Sequence, residues 1–285
     1  MIRTLTLLLA ALVWTGPVAA ADVDGTLKKI KDTNTITLGF RESARPFSFA
    51  NDDGKPAGYA VDLCIRVAAD MGKLLALPNL QVKWVKVTTD DRITAVVKGT
   101  IDLECGSTTA SLSRQEQVDF SLTTFLDGGS LLVTDASSIN RIADLDGKRV
   151  AIVPGTTTES RLIEASKRIN VKPTLVPVKD HGAGVVALDQ GAADAYASDR
   201  VILIGVGRTS KNPEKLSLIN EFFSYEPHGL VMRRNDSAFR LAVNRTLAGL
   251  YRSREVVPIF EKWFGSMPTA GPLIAAMYVI NGLPE

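Results

Sequence analysis

Apolar residues recur along this chain in two rhythms, and the rhythms alternate. Short runs rich in Val, Ile, Leu, Thr and Phe predict strands at 35–40, 82–87, 101–104, 131–133, 149–153, 174–178, 194–197 and 230–232. Stretches with apolar residues three and four apart predict helices near 58–71, 91–98, 159–169, 183–190, 199–207, 237–251 and 255–264. Strands interleaved with helices define an α/β fold with a largely parallel sheet.

One pattern occurs twice. Val96 to Leu103 ends a helix, turns at Gly99 and enters a strand, and Ala187 to Ala195 does the same around Gly191. Asp102 and Asp194 each follow the glycine by three positions, and Ser107 and Asp199 follow those acids by five. Two such units imply two similar lobes whose strand ends face one cleft. Residues 120–130, with Asp127-Gly128-Gly129, have the features of a crossing between lobes, and 220–227 those of a return. The expected organisation is a first lobe of 26–124 completed by 223–285, and a second lobe of 125–222. Ligands of such open sheets bind outside the strands' carboxyl ends.

The N-terminus has a basic start at Arg3, an apolar run from Leu5 to Trp14, and small residues through Ala21. This is the pattern of a secretory signal over 1–21, cleaved after Ala20 or Ala21, and it predicts an exported, periplasmic protein. The apolar run is shorter than the roughly 18 residues of a membrane span. Formal charge is +2 over 285 residues, with no long run of one sign, so no nucleic-acid surface is expected. The last residues, from Met267, have no assigned role beyond packing on the first lobe. Cys64 shares an apolar helical face with Ala60, Val67, Ala68 and Met71. A disulfide to Cys105 and a buried free thiol are both open readings. With two His and two Cys far apart in sequence, no metal site and no cofactor are expected.

The residues that carry chemistry sit after predicted strands. Arg41 follows 35–40. Thr89 and Arg92 open a helix for which Thr89 or Asp90 is the natural N-cap, and a helix N-terminus attracts carboxylate. Gly106-Ser107-Thr108-Thr109 follows 101–104, with Arg114 five residues on, whose planar fork can grip a carboxylate through two parallel hydrogen bonds. Thr156-Thr157-Thr158 follows 149–153 and opens a helix, without the spacing of a phosphate loop. His181 and Asp199 follow two further strands; as local structure they would be helix caps. Three guanidiniums and one carboxylate suit a small ligand with two negative groups and one positive group, which describes an acidic amino acid. Ser107 and His181 could instead meet as nucleophile and base, but three arginines are then hard to explain.

Several of these segments together carry a resemblance: Gly39-Phe40-Arg41-Glu42-Ser43, Pro46-Phe47-Ser48-Phe49, Glu104 to Thr109, Gly155-Thr156-Thr157, Lys179-Asp180-His181-Gly182 and Glu261-Lys262-Trp263-Phe264. The chain resembles periplasmic solute-binding proteins of amino-acid ABC transporters (family 3), within them the glutamate/aspartate-binding branch, from about Ile36 to about Trp263. The resemblance implies a type II periplasmic-binding-protein fold with a two-strand hinge, and a monomer that binds glutamate or aspartate and docks on ABC permease subunits. It implies that Arg114, Thr109 and Thr157 hold the α-carboxylate, and that Asp199 and Ser107 hold the ammonium. Arg41, Arg92, Thr89 and His181 would read the side-chain carboxylate. Ala60 departs from an acid common in the wider family, and Thr89 stands for a serine of that branch. Leu230 replaces a cysteine, which removes that partner for Cys105. A periplasmic enzyme on the same fold, a dehydratase acting on a carboxylated substrate, is the competing expectation, and a separate sensor subunit is a third.

Overall fold

The computed structural model describes residues 24–265 and 271–285. The expected leader, 1–21, lies outside them, as does part of the segment after Met267.

Helix α1 (Gly25–Thr33) leads into β1 (Thr35–Arg41), and β2 (Ser43–Ala44), β3 (Ser48–Ala50) and β4 (Pro56–Ala57) then form a small antiparallel sheet. Next come α2 (Tyr59–Leu74), β5 (Gln81–Val87), α3 (Arg92–Val97), β6 (Leu103–Glu104), α4 (Leu112–Gln115) and β7 (Val118–Phe120). After β8 (Phe125–Asp127) the chain builds β9 (Gly129–Thr134), β10 (Arg149–Ile152), α5 (Thr157–Arg168) and β11 (Thr174–Pro177). It continues through α6 (His181–Asp189), β12 (Ala195–Asp199), α7 (Arg200–Gly207) and β13 (Leu216–Leu218). The described chain ends with β14 (Glu226–His228), β15 (Val231–Arg233), α8 (Ser237–Ser253), α9 (Val256–Phe264) and α10 (Pro272–Asn281).

Two five-stranded sheets result, in the orders β5-β1-β6-β15-β7 and β11-β10-β12-β9-β13. In each, three strands pair in parallel and the next two antiparallel. The sheets are therefore mixed rather than largely parallel. The reason is the path of the chain: β9 and β15 are the strands entered directly after passing between the sheets, and they arrive from the opposite direction. The passages themselves, β8 and β14, pair antiparallel, with Glu226 opposite Asp127 and His228 opposite Phe125.

All of β1 after Thr35 is buried, as expected of a central strand covered by helices on both faces. The predicted face of α2 (Ala60, Cys64, Val67, Ala68, Met71) is fully in the core. Gly99 and Gly191, the turn residues of the repeated unit, have φ of +69° and +65°, the left-handed backbone that favours glycine. Cys64 and Cys105 form a disulfide, their Cα atoms 6.1 Å apart. The free-thiol reading is thereby corrected: Cys64 on α2 and Cys105, just after β6, are buried in the same apolar core, which brings the sulfurs together. Helix α1 and the single-turn α4 were not read from the sequence, and the α10 segment was read only as a terminal helix or strand. α1 has only Leu27 and Ile30 as buried large apolar residues, and α10 is apolar on nearly every side, so neither shows an amphipathic rhythm. The Tyr278 hydroxyl on α10 lies 2.9 Å from that of Tyr59.

Candidate functional site

The carboxyl ends of β1, β6, β10 and β12 converge. Arg41 is the last residue of β1, Ser107 and Thr109 lie in the loop after β6, and Arg114 is on α4. Thr157 opens α5, His181 opens α6, and Asp199 ends β12. Eight of the nine expected residues (Arg41, Arg92, Ser107, Thr109, Arg114, Thr157, His181, Asp199) line one cavity, with Thr156, Thr158, Ser198 and Ile202. Thr89 stands behind it, its hydroxyl accepting a hydrogen bond from the Arg41 guanidinium.

Local capping differs from expectation at three points. The turn before α3 is closed by Thr88 and Asp91, which exchange backbone-to-side-chain bonds of 2.7 and 3.2 Å. Thr89 and Asp90 do not cap it. Arg92 instead turns inward, donating to the Thr89 carbonyl and, at 3.0 Å, to Thr108 Oγ1. Asp180 caps α6 through the Ala183 N–H, which leaves His181 free for the cavity. Asp199 makes no cap bond to α7, so its carboxylate is available to other partners.

Burial depresses all three guanidiniums. Arg92 falls to about 9 through burial and the nearby charges of Arg41 and Arg114, and burial likewise lowers Arg41 and Arg114. Three desolvated cations in one cavity make a strong anion trap. Glu104, on β6, opposes them: it is fully buried, its charge supports Arg41, and neither carboxylate oxygen has a hydrogen-bond partner among the described residues. Arg114 Nη1 donates to the Thr109 carbonyl at 3.0 Å, fixing the guanidinium on its own loop.

His181 Nδ1 lies 2.7 Å from the Tyr196 hydroxyl and 3.3 Å from Ser198 Oγ. Burial and the cationic Arg41 lower it to about 3, so the ring is neutral near pH 7. A Tyr196 hydroxyl that donates to Nδ1 puts the ring's single proton on Nε2, a donor suited to an anion. The Ser107–His181 nucleophile pair is not formed; the histidine's partners are Tyr196 and Ser198.

Asp199 accepts hydrogen bonds at both oxygens, from Thr158 Oγ1 (3.0 Å) and from His228 Nε2 (3.0 Å). Burial alone would raise its carboxyl, but the His228 bond and charge and the Thr158 bond hold it below the ordinary value. Asp127, Asp199 and His228 bring ligand-type atoms within 4.8 Å of one another. Their bonds are those of a proton-sharing array rather than a metal centre: His228 Nε2 is used by Asp199, and Asp127 accepts the Gly128 and Val201 N–H groups. Glu226, also fully buried, accepts the hydroxyls of Thr109 (2.7 Å) and Thr157 (2.6 Å).

Sequence reading missed Glu104, Asp127, Glu226 and His228. The last three belong to β8 and β14, whose pairing joins positions about a hundred residues apart, and no local pattern announces it. The available signal was compositional: His228 is one of only two histidines and follows the extended return segment.

This chain belongs to the bacterial extracellular solute-binding proteins, family 3, whose model matches residues 36–266. The L-glutamate/L-aspartate-binding protein of Pseudomonas aeruginosa is 40% identical over 91% of this chain and 86% of its own length. The glutamate/aspartate import solute-binding protein of Escherichia coli is 34% identical over 86% of this chain and 82% of its own. Among solved structures, a mutant of ArgBP from T. maritima superposes with a TM-score of 0.74 at 26% identity, covering 85% of this chain and all of that one. The fold is that of the type II periplasmic amino-acid-binding proteins.

Proposed function

We propose that this protein captures glutamate or aspartate outside the cytoplasm by closing two lobes around it, and that it delivers the ligand to the permease subunits of an ABC transporter. The observation that carries this reading is the set of two buried guanidiniums (Arg41, Arg92), a half-buried third (Arg114) and one buried carboxylate (Asp199) lining a single cavity. An acidic amino acid complements that set group by group. Its α-carboxylate goes to Arg114, Thr109 and Thr157, and its ammonium to Asp199 and Ser107. Its side-chain carboxylate goes to Arg41, Arg92 and the Nε2–H of His181, with Thr89 orienting Arg41. The names of the relatives in Pseudomonas aeruginosa and Escherichia coli support the same ligand class.

The lobes are 26–124 with 223–285, and 125–222, rotating about β8 and β14. Residues 1–21 direct export to the periplasm, and the mature protein works as a monomer. An enzymatic role is disfavoured because His181, the histidine in the cavity, is held neutral and hydrogen-bonded to Tyr196.

A thermal-shift screen of the twenty amino acids tests the reading. Glutamate and aspartate should raise the midpoint most, and NMR should recover the bound ligand unchanged. A larger shift with arginine, or with a neutral amino acid, would overturn it.

A further inference from the structure

We infer that His228 is a positioning residue for Asp199, and that capture of an amino acid expels a proton from this pair, so that affinity rises with pH. This rests on the reading above, in which Asp199 receives the ligand's ammonium.

The geometry carries the argument. His228 sits on β14, one of the two passages between the sheets, while Asp199 ends β12. Their side chains meet at 3.0 Å, both out of solvent. The opposite oxygen of Asp199 is held by Thr158, so the carboxylate cannot swing away from the imidazole. A neutral imidazole with its proton on Nε2 donates to Asp199 and leaves its full negative charge for the ligand. A cationic imidazole makes the same bond but has already compensated that charge. An ammonium brought to Asp199 then becomes the second cation on one buried carboxylate, and like charges at such distances oppose each other. Ligand and proton therefore compete, and binding favours the form without the extra proton.

The groups facing His228 make that competition relevant near neutrality. Burial lowers its basicity, but Asp199 from β12, Asp127 from β8 and Glu226 from its own strand together raise it above the ordinary value. The remaining neighbours are the rings of Phe47 and Phe125, with centroids at 5.0 and 6.1 Å, and Thr109 across a single β-bridge. Nδ1 has no partner among the described residues. Asp127, raised to about 7 by burial and the charge of Asp199, is the other group on which the proton could reside. His181 is held near 3 and remains neutral throughout.

The test is calorimetric titration of the mature protein with L-glutamate between about pH 5 and pH 8, in buffers of different ionisation enthalpy. Affinity should rise with pH, by at most about tenfold per unit, and the buffer dependence should show proton release. His228→Asn keeps a donor for Asp199 but cannot titrate; its affinity should be nearly independent of pH over that interval, and His228→Gln serves if the first variant fails to fold. A flat wild-type profile, or a wild-type slope retained in the variant, overturns the inference. A slope that survives His228→Asn but disappears in Asp127→Asn assigns the proton to Asp127 and also overturns it. Absence of glutamate binding at every pH would instead count against the proposed function.

Discussion

The hydroxyl oxygens of Thr109 and Thr157 lie 3.1 Å apart, although one residue follows β6 in the first sheet and the other opens α5 in the second. Both also reach the same oxygen of Glu226, at 2.7 and 2.6 Å. A hydroxyl has one proton to give, so without ligand both threonines are turned to the protein's own carboxylate, and in the proposed complex each would turn its proton from Glu226 to the ligand's α-carboxylate. The other Glu226 oxygen accepts from Ser224, which anchors the carboxylate to the return segment.

Replacing Glu226 with Ala should therefore leave the buried Thr109 hydroxyl and the half-buried Thr157 hydroxyl without this acceptor, and remove the acid whose charge most supports Arg114. Unmet buried polar groups cost about 1–3 kcal/mol, so urea unfolding of the ligand-free variant should show a loss of that order. Glu226→Gln keeps an acceptor oxygen and should lose less.

Arg114 should be the most sensitive position for affinity. Truncating one partner of a buried charge pair costs about 2–5 kcal/mol, so Arg114→Ala should weaken glutamate binding by orders of magnitude in calorimetry. Arg114→Lys should recover little, because an ammonium cannot reproduce the two parallel bonds of the fork. Near wild-type affinity in Arg114→Ala would remove this residue from the α-carboxylate site.

The disulfide ties α2 to the residue immediately before Gly106, where a Cβ would come within 2.1 Å of Glu104 Oε1. A cross-link spanning 41 positions should contribute roughly 2–4 kcal/mol of stability. The double variant Cys64→Ala, Cys105→Ala should lose about that much in denaturant unfolding. A wild-type midpoint in the variant would show that packing alone holds the loop.

The sequence made legible what local chemistry controls. Arg41, Ser107, Thr157 and Asp199 were found because a buried strand followed by a polar or glycine-bearing turn is recognisable within ten residues. Thr89 was read as a cap because the neighbouring Thr88 offers the same hydroxyl, and only the backbone path decides between them. Antiparallel β9 and β15 were not foreseen, since strand direction depends on where the chain re-enters a sheet. Glu226, His228 and Asp127 acquire meaning only when β8 and β14 pair. The charge excess of the cavity was legible; the acids that moderate it were not.

Without ligand, the stability of the protein in acid should depend on His181. His181 has an ordinary value of 6.5 when exposed and is lowered to about 3 by burial beside Arg41. Between those values the unfolded chain binds more protons at this position than the folded one, so the contribution of His181 to stability falls as pH drops through that window. Asp127 and His228 are raised in the folded protein and act with the opposite sign, losing stability as pH rises. The absolute profile therefore mixes both, and the useful quantity is the difference between wild type and His181→Gln. That difference should shift in favour of the variant as pH falls from about 6.5 towards 4, read as urea midpoints at each pH. A difference independent of pH would mean that His181 becomes protonated in place, and the neutral donor assigned to it would be withdrawn.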